Sequence, residues 1–200
     1  MAISRLSSSR LTSGLPKYTK TWDQSTSGPI PAFDSIQTIT TSGSTQITFT
    51  NIPQTYKHLQ LRFIVRTNYS VMDSMYLYNF NGDTGNTNSS HYQLYGSGAA
   101  LSGGIQYGSY SSFIGYCPGS TALANTFGVG VVEILDYSNP LKLKTIRAVT
   151  GWEDNTSGAN SLVSALPIDK PALNPVTTLS VAFNGTIQAG SHFALYGMRG

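Results

Sequence analysis

The sequence predicts an all-β protein: an antiparallel β-sandwich, jelly-roll-like, preceded by an extended N-terminal arm. Three observations predict it. About ten short runs rich in Val, Ile, Thr and aromatic residues are separated by Gly, Pro, Asn and Ser clusters, which is the pattern of strands and turns. No segment sustains a helical period. Residues Met1–Pro31 are rich in Ser and Thr, with apolar side chains scattered among them, so they cannot bury a core of their own.

The arm carries Leu6, Leu11, Leu15, Tyr18 and Trp22 among the cations Arg5, Arg10, Lys17 and Lys20. Gly28-Pro29-Ile30-Pro31 ends it, because the prolines favour extended backbone. The sandwich is expected over residues 32–200. Ser35–Thr41 and Thr45–Ile52 read as a hairpin turning at Ser42-Gly43-Ser44. In Leu59–Arg66, Leu59, Leu61, Phe63 and Val65 share one face, so this strand is half-buried. Met75–Phe80 and His91–Tyr95 flank a loop of turn formers, Asn81–Ser90. Ala99–Tyr110 is Gly/Ser-rich and reads as loop or a ragged edge, and Ser112–Cys117 as a short apolar strand. Near the C-terminus, Ser161–Leu166, Thr177–Phe183 and Ser191–Met198 are strands, the last apolar on both faces and therefore interior. The prolines at 167, 171 and 175 exclude regular structure around them.

Phe127–Trp152 holds two β-branched runs around Ser138-Asn139-Pro140 and predicts a long hairpin. If Asp136 faces Leu141, then Ile134 faces Leu143, Glu133 faces Lys144 and Val131 faces Ile146. In that register the apolar residues change face at Val131/Val132. Either paired bulges bend the ribbon there, or its two halves are covered by different partners. The expectation is that Ile134, Leu141 and Leu143 meet another subunit in a homotrimer.

Charged residues make up 10% of the chain against about 25% in an average protein, a balance common in virion and extracellular β-proteins. The net charge of +3 sits in the arm, four cations against Asp23, while the remainder carries eight basic and eight acidic residues. A basic arm on a neutral domain fits an acidic protein surface better than nucleic acid. Cys117 is the only cysteine, which leaves neither an intrachain disulfide nor a cysteine zinc site. No apolar stretch reaches the roughly 20 residues of a membrane span, and the first twenty residues lack a signal-peptide core. The expectation is a chain made in a cytoplasm, with no membrane partner.

Candidates for chemistry are few. His58, His91 and His192 have no local metal-ligand spacing. Glu133, Asp136, Glu153 and Asp154 are the acidic candidates for a glycosidase pair, and Glu133 has a simpler use opposite a cross-strand cation. The loop residues Asn81, Asp83, Asn86 and Asn88 offer amide oxygens and one carboxylate for a ligand, but a single carboxylate makes a weak calcium site. The sequence therefore implies no enzyme, no metal and no cofactor.

Three stretches carry a resemblance: FDSIQTITTSGSTQITFTNIPQTYKHLQLRFIVR at Phe33–Arg66, FNGDTGNTNSSHYQLYGSG at Phe80–Gly98, and HFALYGMRG at His192–Gly200. Together they resemble the small β-rich virion proteins of tailed bacteriophages. The resemblance implies a head-decoration or cement protein, or part of a fibre, located on the capsid exterior with the major capsid protein as partner. It assigns no residue a catalytic role. The competing expectation is a receptor- or carbohydrate-binding module of a fibre, with the Asn81–Ser90 loop as contact surface.

Overall fold

The structure, a computed structural model, describes residues 32–82, 89–97, 100–109, 112–153, 159–168 and 174–199. The chain divides between Ala32 and Phe33 into two units, and the expected arm, Met1–Pro31, lies outside the described residues. Among the described residues there are twelve strands and no helix: β1 Phe33–Thr40, β2 Gln46–Phe49, β3 His58–Val65, β4 Asp73–Phe80, β5 Ser89–Ser97, β6 Ala100–Ser109, β7 Ser112–Cys117, β8 Gly128–Leu135, β9 Lys144–Gly151, β10 Ala159–Ile168, β11 Leu179–Phe183 and β12 His192–Met198. They form an eight-stranded sheet in the order β1-β12-β3-β8-β9-β10-β5-β6 and a four-stranded sheet in the order β2-β11-β4-β7. The pairings are antiparallel.

Alternation along the strands builds one core from both sheets. The large sheet contributes Leu59, Leu61, Phe63 and Val65 of β3, and Phe193 and Leu195 of β12. The small sheet contributes Ile47, Phe49, Met75, Leu77, Val181 and Phe183. Phe193 holds the middle, with its ring centroid 6.1 Å from Phe63 and 6.0 Å from Phe183. Each such side chain, fully buried, contributes about 1.5–3 kcal/mol of transfer free energy. β12 runs between β1 and β3 as an interior strand.

The hairpin expected from Ser35 to Ile52 does not form. β1 pairs with β12 and β2 with β11, so the two strands belong to different sheets. Ser42-Gly43-Ser44 is a corner between sheets. Gly43 turns it at φ 83°, a conformation that costs glycine little, and its N–H donates to the Ile187 carbonyl at 2.9 Å. Ala100–Ser109 is a full strand at the sheet edge, where the expectation was loop or a ragged edge. β10 runs on to Ile168 through Pro167, and the register breaks between Ala165 and Ile168. An interruption of the ladder is where a strand tolerates proline.

The β8–β9 hairpin forms in a different register from the expected one. Leu135 pairs with Thr145, Ile134 with Ile146, Glu133 with Arg147 and Val132 with Ala148. The three-residue slip is odd, so it moves one strand's faces relative to the other's. Val132, Ile134, Ile146 and Ala148 now share the inner face and are fully buried. The change of face disappears, and with it the reason to place a second subunit at the turn. Ile134 lies in the domain's own core, Leu141 is 86% exposed at the tip, and Leu143 is half-buried.

The slip follows from the loop. Asp136 turns with φ 51°, and Tyr137 is driven inward, where its hydroxyl donates to the Pro53 carbonyl. Lys144, expected opposite Glu133, is instead buried and donates its ammonium to the carbonyls of Asn139 and, at 3.0 Å, Lys142. That burial lowers the Lys144 pKa. For Tyr137, burial raises the pKa above the ordinary 10.0. Above that pH the unfolded tyrosine releases a proton that the folded one keeps, so stability falls as pH rises. Tyr137→Phe is expected to flatten this alkaline slope in urea titrations. An unchanged slope would exclude Tyr137 as its source.

Hairpins β5–β6 and β9–β10 lengthen the large sheet beyond β8. β7 packs over β9, β10 and β5. Edge-to-face rings tie the overhang down: Tyr95 of β5 lies 5.2 Å from Tyr116 of β7, which lies 4.8 Å from Phe113. Such pairs add about 0.5–1.5 kcal/mol each beyond area burial.

Candidate functional site

The outer face of the large sheet follows from the same alternation. With Leu59, Leu61 and Phe63 inward, β3 presents Arg62 and Ile64 outward. The register sets Arg62 beside Val131 and Ile64 beside Val129, then Val131 beside Val149. The row toward the turn is polar: Tyr196, Gln60, Glu133 and Arg147 stand side by side across four strands.

The polar row is internally paired. Arg147 donates to Oε2 of Glu133 from Nε at 2.9 Å and from a terminal nitrogen at 2.5 Å. Gln60 donates to the other Glu133 oxygen at 3.3 Å and accepts from Arg62 Nε at 2.7 Å. The Arg62 guanidinium stands over Tyr196 and Phe33, 4.8 and 5.3 Å from the ring centroids. An exposed ion pair of this kind is worth at most about 1 kcal/mol. It neutralises Glu133 and Arg147 and leaves the Arg62 cation over the two rings.

The other half is apolar and open. Val129, Val149, Ile64 and Leu94 are each about half exposed, and Leu101 is 71% exposed. Leu94, Leu101, Val129, Val131, Val149 and Trp152 line a groove of about 860 Å³. Contiguous exposed apolar surface of this sort marks contact with another molecule. Sequence reasoning missed the groove. The outward valines of β8 belong to an unbroken VGVV run, and only the observed register separates Val129 and Val131 from the buried Val132.

The expected site residues fall as follows. Arg5, Leu6, Arg10, Leu11, Leu15, Lys17, Tyr18, Lys20 and Trp22 lie outside the described residues, as do Asp83, Asn86 and Asn88. Asn81 is committed to structure. Its Oδ1 accepts from the backbone N–H of Thr177 at 2.7 Å and of Thr178 at 3.1 Å, and its Nδ2 donates to the Pro175 carbonyl at 2.8 Å. It splices the end of β4 to the segment entering β11, so its amide is not free for a ligand.

Two of the acidic candidates are engaged separately. Glu133 is held by Arg147, and Asp136 by Lys142 at 3.1 Å, a hydrogen bond that lowers the Asp136 pKa. Glu153 is exposed, and Asp154 lies outside the described residues. His58 and His192 sit at opposite ends of the β3–β12 ladder, paired with Met198 and Ile64. His58 Nδ1 accepts the Asp136 backbone N–H at 2.9 Å. Cys117 is buried, and burial pushes its thiol well above the ordinary range, which makes a poor nucleophile. Among the described residues no three His, Cys, Asp or Glu side chains gather to hold a metal ion, and no helix is long and apolar enough to cross a membrane. Comparison with known proteins found no matching family model, no matching curated protein and no matching solved structure.

Proposed function

We propose that the fold is a jelly roll of eight strands with two inserted hairpins, and that the protein is a structural component of a phage virion. In this reading it is a capsid cement or decoration protein that anchors to the shell through Met1–Pro31 and stabilises it. The observation that carries the proposal is strand order. β1-β12-β3-β8 faces β2-β11-β4-β7, and among these eight strands the chain passes between sheets at every step except that from β4 to β7. Setting aside β5–β6 and β9–β10 leaves two four-stranded sheets joined in the manner of a double Greek key, an architecture of viral capsid and lectin domains. The +3 charge confined to the arm and the even balance of the remainder support attachment through the arm to an acidic surface of the major capsid protein.

The test is attachment to purified empty shells of the phage that encodes the chain. Deleting Met1–Pro31 is expected to abolish attachment while the β circular dichroism persists. Attachment of the full chain should weaken as salt shortens the Debye length below about 8 Å. A truncated protein that binds shells unchanged would end the anchoring role. Indifference to salt would assign attachment to Leu6, Leu11, Leu15 and Trp22.

The second reading, a receptor- or carbohydrate-binding module, draws its support from the groove bordered by Trp152, since an indole face suits a sugar ring. Glycan-array binding that is lost in Trp152→Ala would favour it over shell attachment.

A further inference from the structure

Sheet edges attract foreign strands, and proteins protect them with charge, shortness, bulges or cover. Three of the four edges in this domain are protected. β1 carries Asp34, ion-paired to Arg199 at 2.6 Å, and a register break between Ser35 and Gln37. β2 has four residues. β7 breaks register against β4 and lies over β9, β10 and β5.

The fourth edge, β6, breaks register only at its far end, between Tyr107 and Ser109, and among the described residues it has none of the other devices. It is ten residues long. Ala100–Tyr107 pairs with Ser90–Ser97 in unbroken register. It contains no proline and no charged residue, and in fact no Asp, Glu, Lys or Arg occurs anywhere from Thr84 to Val132. Among the described residues β6 packs against β5, and Ala100–Gly103 are exposed, with Leu101 the most exposed of them among large apolar side chains.

We propose that β6 is the edge through which two copies of this chain associate, antiparallel, about a two-fold axis. The choice of a second copy rests on charge. In a two-fold contact each group near the axis meets its own copy, so a charge near the middle of the strand would face a like charge. A strand with no charges, in a stretch with none, satisfies that condition; a shell protein or other foreign strand would not require it. The pairing joins two large sheets across the axis and brings Leu101 of each copy into the contact region. It replaces the three-fold assembly expected from the hairpin, and it stands independently of shell attachment.

The test is the mass of the full-length protein by sedimentation equilibrium across a concentration series. Gly103 accepts a side chain, because an added Cβ would meet only ordinary contacts at 3.7 and 3.9 Å. The wild type is expected to be a dimer. Gly103→Lys and Gly103→Glu are each expected to halve the mass with circular dichroism unchanged, and an equimolar mixture of the two is expected to restore it. A monomeric or trimeric wild type, or variants that stay dimeric, would overturn the proposal. Should either variant lose its circular dichroism, amide exchange on the wild type decides. Two-fold pairing protects every amide along Ala100–Tyr107 as concentration rises, whereas a free edge leaves alternate amides unprotected.

Discussion

Asp73→Ala is expected to destabilise the domain by about 3–5 kcal/mol, because it strands buried donors rather than merely removing a contact. Asp73 is fully buried at the start of β4. One carboxylate oxygen accepts from the backbone N–H and the side-chain amide of Asn184, at 3.1 and 3.0 Å. The other accepts from the Thr67 hydroxyl at 2.8 Å and the Gly185 N–H at 2.9 Å. These four donors come from the segments after β3 and after β11, which are also joined by the Asn68 N–H donating to the Thr186 carbonyl and the Thr186 N–H donating to Asn68 Oδ1. The carboxylate therefore fastens two connections at one end of the sandwich. Alanine leaves the Thr67 hydroxyl and the Gly185 N–H without acceptors and opens a cavity. Asp73→Asn keeps the shape but turns one acceptor into a donor aimed at donors, so it should recover only part of the loss. Urea unfolding would show a fall in midpoint at constant m. A cost below about 1 kcal/mol for the alanine variant would mean the network is not what holds these connections together.

Most strands were legible because apolar alternation is local. Leu59, Leu61, Phe63 and Val65 declare a buried face with no knowledge of what covers it. The interior place of β12 was legible for the same reason, since Phe193 and Leu195 on one face and Ala194 and Tyr196 on the other need cover on both. Partner choice was not legible. Nothing in Ser35–Ile52 distinguishes two strands of one hairpin from two strands in separate sheets, because the deciding contacts come from β11 and β12, well over a hundred residues away. The β8–β9 register was hidden by its loop. Ser138-Asn139-Pro140 signals a turn, but the inward course of Tyr137 and the burial of Lys144 lengthen it, and an odd slip reverses which valines face water. The groove was hidden in turn, since it exists only in the observed register. For the candidate site, Asn81 shows the limit of residue type as a guide. An exposed asparagine beside a polar loop reads as a ligand group, and its neighbours Thr177, Thr178 and Pro175 make it a splice.

Gly119→Ala is expected to cost about 3–5 kcal/mol, the sum of overpacking against rigid atoms and two lost backbone hydrogen bonds. Gly119 is buried in the connection from β7 to β8. An added Cβ would lie 1.8 Å from the Val71 carbonyl oxygen and 2.4 Å from that of Tyr69. Both atoms are backbone, so no rotamer change relieves the clash and the two connections must separate. Separation pulls on the bond from Ser120 N–H to the Tyr69 carbonyl, 2.6 Å, and on that from Thr67 N–H to the Pro118 carbonyl, 3.1 Å. It also disturbs Thr67, which Asp73 holds from the other side. Gly43→Ala supplies the comparison. Gly43 has φ 83° and open space around its missing side chain, so alanine there meets only the left-handed penalty of about 1–2 kcal/mol. If close backbone approach is what Gly119 permits, its variant must unfold at clearly lower urea than the Gly43 variant. Equal midpoints would mean that the β3–β4 and β7–β8 connections can move apart at little cost, and that this end of the sandwich is not the rigid platform the Asp73 network implies.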